Sequence, residues 1–154
     1  MQLYKDENYM KKVLHLRKTG MKLRPHHLLC TQGYSGKGYS EAFVENMTVI
    51  TDYLRNDINA VVNIVFSTDD ICGKCPHMLG DNLCESNDKV NLLDKKVILY
   101  FNIKEKSYKY MDIIHEINTK MTPSIMDDIC GTCEWYPISA CRKNILGDLT
   151  SEKR

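Results

Sequence analysis

The chain has 154 residues, 43% of them hydrophobic and 27% charged, with a formal net charge of +1. This length and composition favour one folded domain and argue against long disordered segments. The nearly balanced charge gives the molecule as a whole no strong preference for nucleic acid, and no apolar run approaches the roughly 18 residues of a membrane span. The first twenty residues lack the apolar segment of a secretory signal, which predicts a cytoplasmic protein.

The N-terminal region is distinctly basic. Residues 1–24 carry seven Lys and Arg side chains against two acids. We interpret this region as a solvated basic helix rather than as a nucleic-acid-binding arm. The helix is predicted over residues 9–18, with Tyr9 or Met10, Val13, Leu14 and Leu16 on its apolar side. The predicted organisation is therefore a basic extension (1–21), a compact metal-binding domain (22–145) and a polar tail (146–154).

The following elements are predicted to be mostly helical. Apolar residues recur at helical spacing in several segments, and Ser40, Ser86 and Thr122 precede three of these as candidate N-caps. The predicted helices cover residues 24–30, 41–55, 87–101, 107–120 and a short segment from Thr122. The β-branched stretch 60–66 predicts a strand, and the glycine-rich segment 33–38 predicts a flexible loop. The expected fold class is α+β, a mostly helical single domain with a short strand element and cysteine-rich metal-binding loops.

The cysteines form two similar clusters. Residues 69–75 read DDICGKC and residues 127–133 read DDICGTC, and each is followed by one further cysteine. Seven cysteines in a cytoplasmic chain favour metal ligation over disulfides, because that compartment keeps thiols reduced. The pattern predicts metal ligands at Cys72, Cys75 and Cys84 and at Cys130, Cys133 and Cys141, with Cys30 as a seventh.

The kind of metal centre remains open between two chemistries. Zinc in a structural site takes four ligands, and the two C-x-x-C pairs together would satisfy one such site while leaving Cys84 and Cys141 unexplained. Iron–sulfur clusters also take cysteine thiolates, usually four. Seven cysteines divide into four and three, so one centre would be fully cysteine-ligated and the other would need His, Asp, water or substrate. A 4Fe–4S cluster is the favoured cofactor, with zinc as the alternative.

Other residues near the cysteines carry candidate roles. His26 and His27 lie just before Cys30, and either is a candidate metal ligand or catalytic proton-transfer group. The acidic pairs before each C-x-x-C are interpreted as caps whose side chains accept backbone N–H groups, and Gly73 and Gly131 as residues that relieve crowding in the turns. Trp135 is expected to shield the second centre from water.

Three further segments carry a family resemblance. The residues RPHHLLC (24–30), GKGYS (36–40) and FVENM (43–47), with the two cysteine turns, resemble the bacterial and archaeal domain of unknown function 1284, whose members are described as candidate iron–sulfur-binding proteins. The resemblance covers about residues 22–142. It implies iron–sulfur binding and supplies no reaction.

Three functions are compatible with these features. The first is an iron–sulfur protein that acts as a redox or Lewis-acid enzyme with an open iron site, or that transfers electrons without catalysis of its own. The second is a structural zinc module for protein interaction. The third is a cluster-based sensor that binds nucleic acid, for which no recognition helix is identifiable, so nucleic acid is an unlikely partner. The expected partner is a redox protein or a small-molecule substrate, and no membrane.

Overall fold

The computed structural model describes residues 7–80, 83–133, 136–137 and 140–147. This part of the chain is a mostly helical α+β domain, as predicted. Its helices are α1 (Glu7–Thr19), α2 (His27–Gly33), α3 (Glu41–Asn56), α4 (Asn87–Phe101), α5 (Tyr110–Lys120), α6 (Pro123–Cys130) and α7 (Cys141–Leu146). Its strands are β1 (Met21–Leu23), β2 (Val61–Ile64), β3 (Met78–Gly80), β4 (Leu83–Cys84) and β5 (Ser107–Lys109).

Two small sheets organise the helices. Strand β2 is central in the larger sheet, parallel to β1 and antiparallel to β5, with Val62 opposite Met21 on one side and Tyr108 on the other. Val62 is fully buried, so the centre of this sheet contributes directly to the hydrophobic core. Strands β3 and β4 form a separate antiparallel hairpin that carries Cys84 at its end.

Helices α3, α4 and α6 begin where the sequence predicts. The Ser40 hydroxyl accepts the Phe43 N–H at 3.2 Å, and the Thr122 hydroxyl accepts the Ile125 N–H at 3.1 Å, so each caps an otherwise unpaired helix donor. Ser86 precedes α4, but its side chain makes no capping hydrogen bond. Buried apolar side chains of α3, α4, α5 and α6 join one core with the sheet.

Helix α1 packs on the rest of the domain. Tyr9, Val13 and Leu16 are buried in the core, and the Tyr9 hydroxyl donates to Asp52 of α3 at 3.2 Å. Leu14 is 54% exposed, so its placement on the apolar side was wrong. The other residues predicted on that side, Tyr9, Val13 and Leu16, are buried as expected.

Two other predictions are corrected by the structure. Residues 107–109 are strand β5 rather than the start of a helix, because they pair with β2 and the Ser107 hydroxyl bonds Asn63 at 2.6 Å. Gly33 ends α2 and is buried, so it is not part of a flexible loop. Helix α7 was not predicted. Among the described residues, no helix combines the length and apolarity that a membrane crossing requires.

The approach of α2 to α7 brings two distant cysteines together. Cys30 lies on α2, and Cys141 is the first residue of α7. The Ala140 N–H donates to the Gly33 carbonyl at 3.2 Å, and the Asn144 side chain donates to the Gln32 carbonyl at 2.7 Å. A methyl group at Gly33 would lie only 2.6 Å from the Cα of Cys141, so this contact requires glycine.

We therefore expect Gly33→Ala to lower the free energy of unfolding by about 1–3 kcal/mol, because the added methyl forces α7 away from α2. Urea unfolding of the metal-free protein measures this change. Gly73→Ala is the matched control, because nothing lies within 4 Å of a methyl group there. Equal losses in the two variants would contradict the close α2–α7 contact.

Candidate metal centre

All seven cysteines line one cavity. Its volume is about 360 Å³, within the range of small-molecule sites, and its walls include residues of α2, α3, α4 and both C-x-x-C turns. The candidate histidines His26 and His27 and the loop residue Lys37 also line it. The structure therefore brings the predicted ligands together, although they come from segments spread across most of the chain.

The first C-x-x-C turn is a short 3-10 segment, Cys72–Lys74, held by an acidic cap. The Cys75 N–H donates to the Cys72 carbonyl at 2.9 Å, which closes the turn. One Asp69 carboxylate oxygen accepts the Ile71 and Cys72 N–H groups, each at 3.0 Å. The capping role predicted for the first acidic pair is thus confirmed for Asp69.

Cys84 returns to this turn through the β3–β4 hairpin. Cys84 pairs with Met78, three residues after Cys75, and the Ser86 N–H points at the Cys84 sulfur at 3.4 Å. Burial, and then the neighbouring Cys84 among other groups, raises the pKa of the Cys75 thiol. The three thiols predicted for the first cluster therefore belong to one local structure.

The second turn has the same backbone closure and a different cap. The Cys133 N–H donates to the Cys130 carbonyl at 2.9 Å, the same bond as in the first turn. Asp127 and Asp128, however, lie inside α6, where their side chains bind Tyr136 and Arg142, and Lys96 and Tyr100, respectively. The capping interpretation was wrong for this pair, because helix α6 already supplies partners for the backbone N–H groups.

The two turn glycines also differ. A methyl group at Gly131 would lie 2.5 Å from the Asp127 carbonyl oxygen, so crowding at that position is real. Nothing lies within 4 Å of the corresponding position at Gly73, so that interpretation was wrong for the first turn. The reason is again the helix, which brings its own carbonyl close to the second turn only.

Cys30 joins the second cluster. Burial raises the pKa of the Cys30 thiol well above its usual range, and Cys141, Cys133 and Cys130 raise it further, in that order. Burial and then Cys141 and Cys133 likewise raise the pKa of Cys130 to about 12. These four thiols therefore lie within electrostatic reach of one another, which gives a four-thiol set beside the three-thiol set of Cys72, Cys75 and Cys84.

Each candidate histidine is held by its own buried carboxylate. The Nδ1–H of His26 donates to Asp94 at 2.6 Å, and the Nδ1–H of His27 donates to Asp69 at 2.7 Å. The two rings are 4.4 Å apart between centroids. Burial, and then the neighbouring His27, lowers the pKa of His26 to about 4, so the His26 ring is neutral near pH 7. Both rings have a fixed orientation at the cavity wall.

Asp69 is the shared hydrogen-bond acceptor of this part of the site. Besides the two turn N–H groups and His27, its carboxylate accepts the Arg24 N–H at 2.7 Å. Burial alone would raise the pKa of Asp69, but His27 and the backbone N–H groups lower it to about 2. The buried carboxylate is therefore ionised and fully hydrogen-bonded, which is the condition under which burial of a charge is tolerated.

Sequence analysis missed Arg24 and Asp94. The Arg24 guanidinium donates to Asp94 at 2.9 Å and lies 4.0 Å from the Cys72 sulfur, so it can favour the thiolate there. Asp94 falls on the buried face of α4 between Val90 and Val97. A charged residue in an apolar helix face is a detectable signal of a buried ion pair. Trp135, with its expected shielding role, lies outside the described residues.

Because Asp69 caps its turn and Asp127 does not, variants at these two positions should differ in stability. We expect Asp69→Asn to lower the free energy of unfolding of the metal-free protein by about 3 kcal/mol, because an amide cannot accept all four buried donors. Asp127→Asn occupies the matching position of the second motif, where the side chain is 61% exposed, and should change it by less than about 0.5 kcal/mol. Urea unfolding at neutral pH separates the two, and similar losses would refute the difference in capping.

The raised thiol pKa values predict proton release on metal binding. Burial is the first cause of the raised pKa of Cys30, Cys72 and Cys130, so these thiols are protonated in the metal-free protein at pH 7. Because thiolate is the ligand, each must lose a proton on binding, and affinity must fall as pH is lowered. In zinc titrations by calorimetry in buffers of different ionisation enthalpy, Cys30→Ser should release about one proton fewer per protein. Unchanged release would remove Cys30 from the ligand set.

Comparison with known proteins identifies the family. A family model described as protein of unknown function (DUF1284) matches residues 38–139. No curated protein and no solved structure matches the chain significantly. The matched range contains both C-x-x-C turns and Cys84, whereas Cys30, the two adjacent histidines and Cys141 lie outside it. Because the match spans well over half of the chain, the protein belongs to the DUF1284 family.

Proposed function

We propose that this protein binds iron–sulfur clusters in the cytoplasm and uses them for redox chemistry at a shared cavity. Cys30, Cys130, Cys133 and Cys141 would hold one centre, for which a 4Fe–4S cluster is the favoured cofactor. Cys72, Cys75 and Cys84 would hold a second with one position for another ligand. The observation that carries the proposal is that all seven thiols line one cavity, where the packing of α2 against α7 adds Cys30 to the second cluster.

The donor set and its surroundings fit this group. Thiolates are soft ligands and are the usual ligands of iron–sulfur clusters. The Ser86 N–H beside the Cys84 sulfur and the Arg24 guanidinium beside the Cys72 sulfur are contacts of the kind that tune cluster potentials. The cavity is also lined by apolar side chains such as Leu29, Phe43 and Leu93. A partly apolar wall limits water near a cluster.

A structural zinc module is the weaker alternative. Small zinc modules depend on the metal because they lack a sufficient core. Here one hydrophobic core joins helices α1 to α7 and the larger sheet. Since the core already stabilises the fold, a purely structural metal does not account for seven cysteines at one cavity.

A Lewis-acid enzyme is a second candidate, favoured by the size of the cavity. A volume of about 360 Å³ is enough to admit a small molecule beside the three-thiol set. An open iron in that set would bind and polarise a substrate oxygen. His26 and His27 would then be the candidate catalytic groups for proton transfer, since both rings line the cavity and each is fixed by a carboxylate.

Anaerobic purification tests the proposal. The protein should be brown, contain iron and acid-labile sulfide, and absorb near roughly 400 nm. We expect Cys30→Ser and Cys84→Ser each to alter the EPR signal of one centre and leave the other, because the two residues belong to different thiol sets.

Two results would decide against parts of this proposal. A colourless protein with stoichiometric zinc and no sulfide would support the zinc alternative. An EPR signal that responds to small carboxylate or phosphate ligands would favour the Lewis-acid enzyme over a redox carrier, whereas indifference to them would favour the carrier.

A further inference from the structure

The three-thiol set needs one more ligand, and the structure contains a candidate beside it. A ring nitrogen of His27, a carboxylate oxygen of Asp69 and the Cys72 sulfur all lie within 4.8 Å of one another. His27 is the first residue of α2, and Cys72 begins the first C-x-x-C turn. These groups meet because Asp69 hydrogen-bonds both segments.

Asp69 itself has no remaining capacity to bind a metal. A carboxylate offers about four acceptor positions. One Asp69 oxygen accepts the Ile71 and Cys72 N–H groups, and the other accepts the Arg24 N–H and the His27 Nδ1–H. With all four positions in use, Asp69 orients the neighbouring groups and does not coordinate.

The same hydrogen bond prepares His27 for ligation. Metal-binding histidines commonly donate one ring N–H to a carboxylate, which fixes the tautomer and leaves the other nitrogen as the ligand. His27 donates its Nδ1–H to Asp69, and its Nε2 makes no hydrogen bond to any residue in the described ranges. One carboxylate thus positions the Cys72 backbone and the His27 ring together.

We infer that His27, through Nε2, is the fourth ligand of the centre held by Cys72, Cys75 and Cys84, an inference that rests on the proposed iron–sulfur function. A neutral imidazole in place of a thiolate makes that centre less negative and raises its reduction potential relative to an all-cysteine centre. The two centres of the protein then differ in potential. His27 is then a metal ligand, and His26 is the histidine left for proton transfer.

Two other histidines of the cavity are the rivals for this position. His26 is bound to Asp94, which also pairs with Arg24 at 2.9 Å. His77 follows Cys75 closely, but it contacts Glu85, packs edge-on against Tyr39, and has a side chain that is 38% exposed. In the part of the chain that the structure describes, neither joins a three-residue group of ligand atoms like that of His27.

Pulsed EPR of the reduced, anaerobically purified full chain tests the inference. We expect a strongly coupled nitrogen signal that changes from the ¹⁴N to the ¹⁵N pattern when the protein is grown with ¹⁵N-histidine. The signal should be lost in His27→Ala and retained in the matched controls His26→Ala and His77→Ala. In His27→Cys, iron and sulfide should be retained and the higher of the two reduction potentials should fall.

The outcomes distinguish a wrong ligand assignment from a wrong iron–sulfur proposal. Iron and sulfide content is measured first, and a protein without them overturns the iron–sulfur proposal and the ligand assignment together. With iron and sulfide present, absence of histidine coupling overturns the assignment alone, as does a coupled signal that survives in His27→Ala or disappears only in His77→Ala. Labelling the unmodified chain keeps the test decisive if a variant folds poorly.

Discussion

The geometry of the site depends on the burial of one ionised carboxylate. Asp69 is 6% exposed, and a buried charge persists only where donors replace the water it has lost. Those donors come from the end of β1, from α2 and from the first cysteine turn. The need to satisfy Asp69 therefore fixes these three segments relative to one another. The second buried acid, Asp94, does the same between Arg24, His26 and helix α4.

The two DDICG motifs show how one local sequence takes two structures. The C-x-x-C closure is the same in both, since the bond from the N–H of the fourth residue to the carbonyl of the first depends only on the turn itself. The acidic residues differ because their neighbours differ. Before the first turn the chain is irregular and its N–H groups need a cap, whereas before the second turn the chain is helical and they do not.

Local signals explain which parts of the fold were predictable. Helices α3, α4 and α6 follow from apolar periodicity and start signals, and β2 from its β-branched residues. Strand β5 was misread because Ser107 was taken as the start of the helix whose apolar spacing begins at Tyr110, while the strand β2 with which residues 107–109 pair lies far away in the sequence. Helix α7 has only six residues and a polar start, too little for a periodic pattern.

The features of the candidate site were likewise predictable only where local sequence determines them. The seven cysteines and two histidines were identifiable from residue type and spacing, and the division into four and three from the count alone. The sequence could not show that Cys30 belongs to the second set, because that depends on the packing of α2 against α7. Arg24, Asp69 and Asp94 as the frame of the site also required the tertiary structure, since each acts on residues distant in sequence.

The contact between Gly33 and Cys141 has a consequence for the order of assembly. The three-thiol set spans Cys72 to Cys84 and closes within one turn and one hairpin. The four-thiol set begins at Cys30 and ends at Cys141, so it forms only after α7 has docked on α2, which closes a longer loop than the three-thiol set requires. For the centres proposed above, the first site can therefore form before the second.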